Sequence, residues 1–279
     1  MAQIVGAVTT SHVPAIGKAI FKQLQNEPYW KPFFDGFVKV RRWLESARPD
    51  VVVVFYNDHG LNFFLDKMPT FAVGAAPSYT NADEGWGIPT IPAFRGEQDL
   101  SWHLINRLVA ADFDITTCQE MLVDHAFTLP MALLWPDQKW PVQVVPVCIN
   151  TVQFPLPSAK RCYALGEQIG NAIRGWQSDK RVLILGTGGL SHQLEGERAG
   201  FINKSFDIQF MDSLTKDPKW ATQWNSAELV EKAGTQGIEL LMWLATRAAL
   251  GDKAREVHRN YHIPISNTAS GVMVMEPAA

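Results

Sequence analysis

Apolar positions in this chain follow two rhythms. Short apolar runs at Ile4–Val8, Val51–Tyr56, Thr70–Gly74, Ile115–Cys118, Val142–Cys148 and Val182–Leu185 predict strands, with longer amphipathic stretches between them. Within Tyr29–Ser46, residues Phe33, Phe37, Val40 and Leu44 recur at the spacing of one helix face. Gln98–Ala111 and Ser158–Trp176 behave alike, with Ser158 placed as an N-cap. The stretch GIELLMWLATRAALG is apolar almost all round, which predicts a buried helix closed by Gly251 just past its end. Strands alternating with helices predict an α/β fold, a central mixed sheet covered by helices and with its active site at strand ends. No repeat, low-complexity segment or charge block marks a linker, so residues 1–279 read as a single domain. Ala75–Gly96, rich in proline and glycine, is too long for a simple connection and reads as a lid.

The polar residues sharpen this picture. VVVVFYNDHG, residues 51–60, builds a strand fit for burial on both faces and then switches to Asn57, Asp58 and His59. In open α/β sheets, ligands bind at the carboxyl ends of strands. His12 follows the first predicted strand in TTSHVP, His59 follows the second in NDHG, and His192 follows the last in GTGGLSHQ. His125, in DHAF, comes after the strand near Ile115 and opens another predicted helix. A lone histidine at a strand end is ordinarily a hydrogen-bonded structural residue. Four of the chain's seven histidines in the same kind of position predict that they meet. Glu239 sits in the first turn of the all-apolar helix, where the helix dipole favours it, yet a buried carboxylate needs a partner or a cation. Two imidazoles and one carboxylate suit non-haem Fe(II), and the same set holds catalytic Zn(II); spacing does not choose between them.

Other candidates read as structural. His258 and His262 form an HxxxH pair that Asn260 and Pro264 keep from continuing as a helix, which predicts a surface location. His103 lies on an amphipathic helix and is expected to be solvated. GTGGLS fits no nucleotide-binding fingerprint, so its glycines are expected to allow a tight turn beside a ligand. No GxSxG elbow is present.

Composition narrows the class of partner. With 47% apolar residues, 19% charged residues and a net charge of −3, the chain is ordinary for a soluble globular protein. Nothing in that charge points to nucleic acid or to an anionic membrane. No apolar run approaches the roughly 20 residues that span a bilayer. The start, MAQIVGAVTTSH, lacks the charged segment of a signal peptide. Cys118, Cys148 and Cys162 are widely spaced, an odd number, and without a CxxC pair, which predicts reduced structural thiols in a cytoplasmic protein. Ten Trp and fifteen Phe imply large packed aromatic surfaces.

Six stretches then point to a family. SHVPAIG (Ser11–Gly17), FYNDHG (Phe55–Gly60), ADEGWG (82–87), VDHAF (Val123–Phe127), TGGLSHQLEGERAG (Thr187–Gly200) and GIELLMWL (Gly237–Leu244) together resemble the class III extradiol ring-cleaving dioxygenases. They are most similar to the catalytic β subunits that open protocatechuate at its 4,5 bond. The resemblance runs in order over essentially the whole chain.

It implies Fe(II) held by His12, His59 and Glu239, with His192 as acid/base and His125 near a substrate hydroxyl. Asn57 and Ser266 fall where the family places polar groups that support the ligands or touch substrate, Ser266 being a candidate donor to a substrate carboxylate. The implied partners are a protocatechuate-type catechol and O2. Related gallate dioxygenases are longer, and a chain that stops at Ala279 suggests a separate small α subunit in a hetero-oligomer. Cleavage of gallate or 3-O-methylgallate, a zinc hydrolase, and a non-enzymatic binding module of the same fold are the competing readings. Asp58 is left without a role beyond pairing with a neighbour.

Overall fold

The computed structural model describes residues 1–85 and 87–278; Trp86 of the ADEGWG stretch and the terminal Ala279 lie outside the described residues. The first half of the chain runs through β1 (Gln3–Thr10), α1 (Pro14–Phe21), α2 (Lys31–Ala47), β2 (Val51–Tyr56), β3 (Phe71–Gly74), β4 (Ser78–Asn81), β5 (Phe94–Arg95), α3 (Gln98–Val109), β6 (Thr116–Cys118), β7 (Leu122–Val123) and α4 (His125–Leu134). The second half adds β8 (Gln143–Ile149), α5 (Ala159–Gly175), β9 (Arg181–Thr187), α6 (Lys204–Lys216), α7 (Ser226–Ala233), α8 (Leu240–Ala249), β10 (Ala254–Ile265) and β11 (Thr268–Pro277). All six expected strands form. So do the expected helices, with Ser158 capping α5 by accepting from Arg161 N.

The main sheet has the order β10-β11-β1-β9-β2-β8-β3-β6. At its centre β1, β9, β2 and β8 are mutually parallel, while β11 pairs antiparallel with β1 and β3 antiparallel with β8. The sheet is therefore mixed, as expected. Parallel strands in a row bring their carboxyl ends to one edge.

Strand alternation divides the core in two. Val51, Val53 and Phe55 pack on one face with α3, α5, α6 and α8, while Val52, Val54 and Tyr56 pack on the other with α1, α2 and α4. The run of valines is thus buried on both sides, the composition a central parallel strand requires. Phe33, Phe37, Val40 and Leu44 form the buried face of α2. Helix α8 is buried at every position, and Gly251 follows it at φ +96°.

Several expectations change on contact with the structure. The Ala75–Gly96 segment is no free lid, because β4 and β5 within it form a small three-stranded sheet with β7. His103 is half-buried rather than solvated, its Nε2 2.9 Å from the Ala172 carbonyl, because α3 packs on α5. His258 and His262 lie on the strand β10 and are half-buried rather than free on the surface; His258 Nε2 reaches the Gly36 carbonyl of α2 at 2.8 Å. The hairpin β10–β11 has no counterpart among the expected strands. Its edge strand carries Arg255, Glu256 and Arg259, which breaks the alternation that identifies a strand and also blunts an exposed edge. All three cysteines are free and buried, as structural thiols should be. Among the described residues no helix is long and apolar enough to cross a membrane.

Helix α8 reaches the sheet because α5 lets it come close. A Cβ on Gly166 would stand 2.0 Å from the Ala245 carbonyl oxygen, and one on Gly170 2.2 Å from that of Ala249. Gly166→Ala or Gly170→Ala should therefore destabilise the protein by about 2–4 kcal/mol in urea denaturation, since two helix backbones must separate. Gly175→Ala, where a Cβ meets nothing within 4 Å, should change stability by no more than about 1 kcal/mol.

Candidate active site

Three histidines leave the carboxyl edge of the central strands. His12 follows β1, whose end is tied to β11 by Ser11 N donating to the Gly271 carbonyl and Gly271 N donating to Ser11 Oγ, each at 3.0 Å. His59 follows β2, and His192 follows β9 through the GTGGLS turn. That turn needs its glycines. Gly188 has φ +100°, and a Cβ there would lie 2.7 Å from Glu239 Cβ. Gly189 N donates to Glu239 Oε2 at 2.9 Å, and Trp243 Nε1 of α8 donates to the Gly188 carbonyl at 2.9 Å. Glu239 ends a single 3-10 turn, Gly237–Glu239, at the start of α8. His125 arrives by a different route from the one expected. It is the first residue of α4, reached through β7 of the small sheet rather than from the main sheet edge.

These side chains meet. His12 Nε2 and His59 Nε2 lie 3.3 and 3.6 Å from Glu239 Oε1, and His192 Nε2 lies 4.0 Å from Glu239 Oε2. The His125 ring is 4.2 Å from the His59 ring and 5.4 Å from that of His12, centre to centre. His12, His59 and His125 each offer one ring nitrogen within a mutual 4.8 Å, so the residues present two overlapping donor sets, one with Glu239 and one with His125.

The far side of each ring is held. His59 Nδ1 lies 2.8 Å from Asp124 Oδ2, His125 Nδ1 2.6 Å from Glu84 Oε2, and His192 Nδ1 2.8 Å from the Leu190 carbonyl. Carboxylates and carbonyls can only accept, so each of these Nδ1 atoms carries a hydrogen. In the neutral ring Nε2 then holds a lone pair. His12 Nδ1 pairs with Thr187 Oγ1 at 3.1 Å. Asp124 and Glu84, the carboxylates behind His59 and His125, are residues that sequence reasoning passed over. Asp124 does stand beside His125 in VDHAF and Glu84 lies in ADEGWG, so the quoted stretches carried the signal.

Electrostatics follow the geometry. Burial alone would raise Glu239, yet the imidazoles of His12, His59 and His192 hold it well below its usual range. Burial penalises charge on His59 too, but Asp124 and Glu239 outweigh it and push the ring up to about 10. Asp124, against its own burial, is drawn down to about 2 by His59. Two carboxylates thus draw a cation, proton or metal ion, to this point. His125 is lowered, first by burial and then by the neighbouring His59.

The remaining predicted residues divide. Asn57 is buried and donates from Nδ2 to Glu239 Oε1 at 3.3 Å, while its Oδ1 is buried without a hydrogen-bond partner. Ser266 lies in the exposed turn between β10 and β11 at φ +55° and lines the same cavity, its N–H donating to Tyr29 Oη. Asp58 gains a role. Its carboxylate accepts from the backbone N–H groups of Gly60, Leu61, Asn62 and Phe63 and from Asn62 Nδ2, gathering the loop that presents His59. Beside His192, Ser191 Oγ and N both donate to buried Asp207, whose carboxyl burial pushes up to about 6, and Tyr261 donates to the same carboxylate.

The cavity in front of these groups holds about 270 Å³ and is bounded by Val13, Ala15, Leu194, Gln236, Thr268 and the histidines. No lysine or arginine lines it among the described residues. A larger groove of about 670 Å³ lies near the opposite end of β1, between Gln3, Glu167, Arg174 and Asp252, and brings no histidines together. Convergent chemistry, not size, identifies the smaller one.

Residues 6–272 match the family described as the catalytic LigB subunit of aromatic ring-opening dioxygenase. A gallate dioxygenase of Pseudomonas putida is 39% identical over 196 residues, 70% of this chain and 57% of that protein. A 2,3-dihydroxyphenylpropionate/2,3-dihydroxicinnamic acid 1,2-dioxygenase of Photorhabdus laumondii is 33% identical over 186 residues, 66% of this chain and 55% of that protein. The aligned part thus spans little more than half of these two relatives. An enzyme of the latter name from Rhodococcus jostii is 28% identical over 88% of this chain and 89% of its own. An uncharacterized protein of Escherichia coli K12 shares the fold, with a TM-score of 0.56 over 98% of this chain and 99% of that one at 14% identity.

Two outcomes follow from this geometry. In Asp58→Asn one acceptor oxygen becomes a donor facing donors, so amide hydrogen exchange at Gly60, Leu61, Asn62 and Phe63 should accelerate. Wild-type protection there would remove Asp58 from its role. For protein dialysed against a chelator, His59 has a folded pKa above its unfolded value of about 6.5. Its contribution to stability is complete below about pH 6.5 and is lost as pH rises through about 10. Urea midpoints should fall across that window, and more shallowly in Asp124→Asn.

Proposed function

The chain belongs to the family of catalytic LigB subunits of aromatic ring-opening dioxygenases, and on that premise we propose that it is a non-haem Fe(II) extradiol dioxygenase acting on a carboxylated catechol. One observation carries the reading: His12 Nε2 and His59 Nε2 converge on Glu239 Oε1 in a cavity that His125 and His192 also line. Of the two donor sets, the one with Glu239 fits a divalent cation better, because its buried carboxylate requires a positive charge. The Nδ1 hydrogen on His59, with the His12 and His59 Nε2 atoms turned inward, suits the same ion. Bound by His12, His59 and Glu239, Fe(II) would supply open positions and Lewis acidity for a diol and O2.

The other residues handle protons. His192 bonds the Leu190 carbonyl through Nδ1, so its neutral ring offers Nε2 as a base for a substrate hydroxyl proton and as the acid that returns it. His125 orients the second hydroxyl. Asn57 holds Glu239 in place from Nδ2. With no lysine or arginine in the cavity wall among the described residues, the substrate carboxylate meets neutral donors, Ser266 and Thr268 among them. The cavity volume of about 270 Å³ suits a single-ring acid.

Protocatechuate 4,5-cleavage, yielding 4-carboxy-2-hydroxymuconate semialdehyde, is the first reading. Gallate cleavage is the second, favoured by the 39% identity to a gallate dioxygenase. A small partner subunit over the cavity mouth, where Leu194 is exposed, belongs to the same proposal.

Oxygen uptake by Fe(II)-reconstituted protein with protocatechuate, gallate and 3-O-methylgallate, with and without a candidate small subunit, tests substrate and partner together. Turnover of none of these acids would overturn the reading. Glu239→Ala should lose iron, and wild-type iron content would exclude it as a ligand. His192→Phe should keep its iron while kcat falls by about 10²–10⁴. An unchanged kcat would remove His192 from the chemistry.

A further inference from the structure

Glu84 stands out among the buried titratable groups that the proposed reaction leaves unused. It lies in the connection between β4 and β5, flanked by exposed Asp83 and Gly85, yet its own side chain is only 8% exposed. Both of its oxygens go to a single residue. Oε1 accepts from His125 N at 2.6 Å, and Oε2 faces His125 Nδ1 at 2.6 Å.

The topology explains how two distant segments meet. β4 pairs in parallel with β7, Asn81 opposite Val123, so both chains leave the small sheet at the same end. Three residues beyond Asn81 the chain reaches Glu84, and two beyond Val123 it reaches His125. Ala82 N donates to the Val123 carbonyl at 2.8 Å, and Asn81 Oδ1 accepts from Ile91 N at 3.1 Å, which anchors the connection on both sides of Glu84. The carboxylate also sits at the amino end of α4, where unpaired N–H groups and the helix dipole favour an anion. Asp124 Oδ1 takes the neighbouring Ala126 N–H, so the two carboxylates share the helix end without competing.

We propose that Glu84 is a positioning residue that fixes both the ring orientation of His125 and the nitrogen that bears its proton, latching the β4–β5 connection to the active site. The proposal deepens the reading above, in which His125 meets a substrate hydroxyl, and rests on it for its functional consequence. Two contacts from one carboxylate to the backbone and ring of one residue leave the imidazole little freedom to turn. Because a carboxylate only accepts, the hydrogen must lie on Nδ1, and His125 then meets the substrate hydroxyl through Nε2 as an acceptor. Glu84, Asp124 and His125 lie close enough together to hold a cation. Their donors and acceptors are instead matched to hydrogen bonds, which is the arrangement of a positioning relay.

Glu84→Gln separates this from a merely structural role. The amide is isosteric and can still accept from His125 N, but its NH2 then faces Nδ1 and forces the hydrogen onto Nε2. Nitrogen-15 spectra of the full-length, histidine-labelled protein, assigned against His125→Ala, should show an Nδ1–H ring in the wild type and an Nε2–H ring in Glu84→Gln. With unchanged iron content, kcat/KM of Glu84→Gln should fall by at least about tenfold. Adding His125→Ala to it should cost nothing further. Glu84→Asp, which keeps the charge one methylene short, should retain the Nδ1–H ring and recover part of the activity. An Nδ1–H ring in Glu84→Gln, or losses that multiply in the double variant, would overturn the proposal. Should no catechol be cleaved by the wild type, the ring-opening reading fails, while the spectra still decide whether Glu84 sets the His125 proton.

Discussion

A carboxylate buried among imidazoles is the constraint around which this protein is arranged. Glu239 is buried at the head of a helix that is itself wholly buried, and it cannot keep its charge there without a cation nearby. Three imidazoles answer it, and Gly188 and Gly189 make room for it and donate to it. The close passage of α8 over α5, which glycines permit, brings Glu239 to the sheet edge where the histidines emerge.

The histidines are in turn governed by what stands behind them. Asp124, Glu84, Thr187 and the Leu190 carbonyl each hold one Nδ1 atom, so each ring presents its other nitrogen to the site. Such outer partners decide both basicity and aim, and a site without them would have the right residues in the wrong states. Asp58 extends the logic to backbone by gathering four successive N–H groups of the loop that carries His59. The switch from valines to Asn57, Asp58 and His59 is therefore three tasks in three residues: one steadies Glu239, one shapes the loop, and one enters the site.

Much of this was legible in the chain because it depends on local pattern. The apolar run at Val51–Tyr56 reads as a strand covered on both faces, and the heptad-like spacing of Phe33, Phe37, Val40 and Leu44 reads as one buried face of a helix. His12, His59 and His192 at strand ends follow from the same reading, since parallel strands share an edge. The polar edge strand β10 escaped it, for charged residues at a sheet edge blur the two-residue period. His103 and His258 escaped as well, because burial by a helix packed from elsewhere leaves no mark on the neighbouring sequence.

By itself, then, the sequence determined the alternation of strands and helices, the identity of the central strands, and which histidines and which carboxylate lie where a site can form. Tertiary structure alone decided that three imidazoles come within 4.0 Å of Glu239, that His125 comes in through a second small sheet, and that Glu84 and Asp124 stand behind His125 and His59. The physical reason is range. Periodicity and capping act over a few residues and are written in the chain. The pairing of β4 with β7, and of Glu239 with imidazoles about 50 to 230 positions away, depends on the sum of all packing contacts at once.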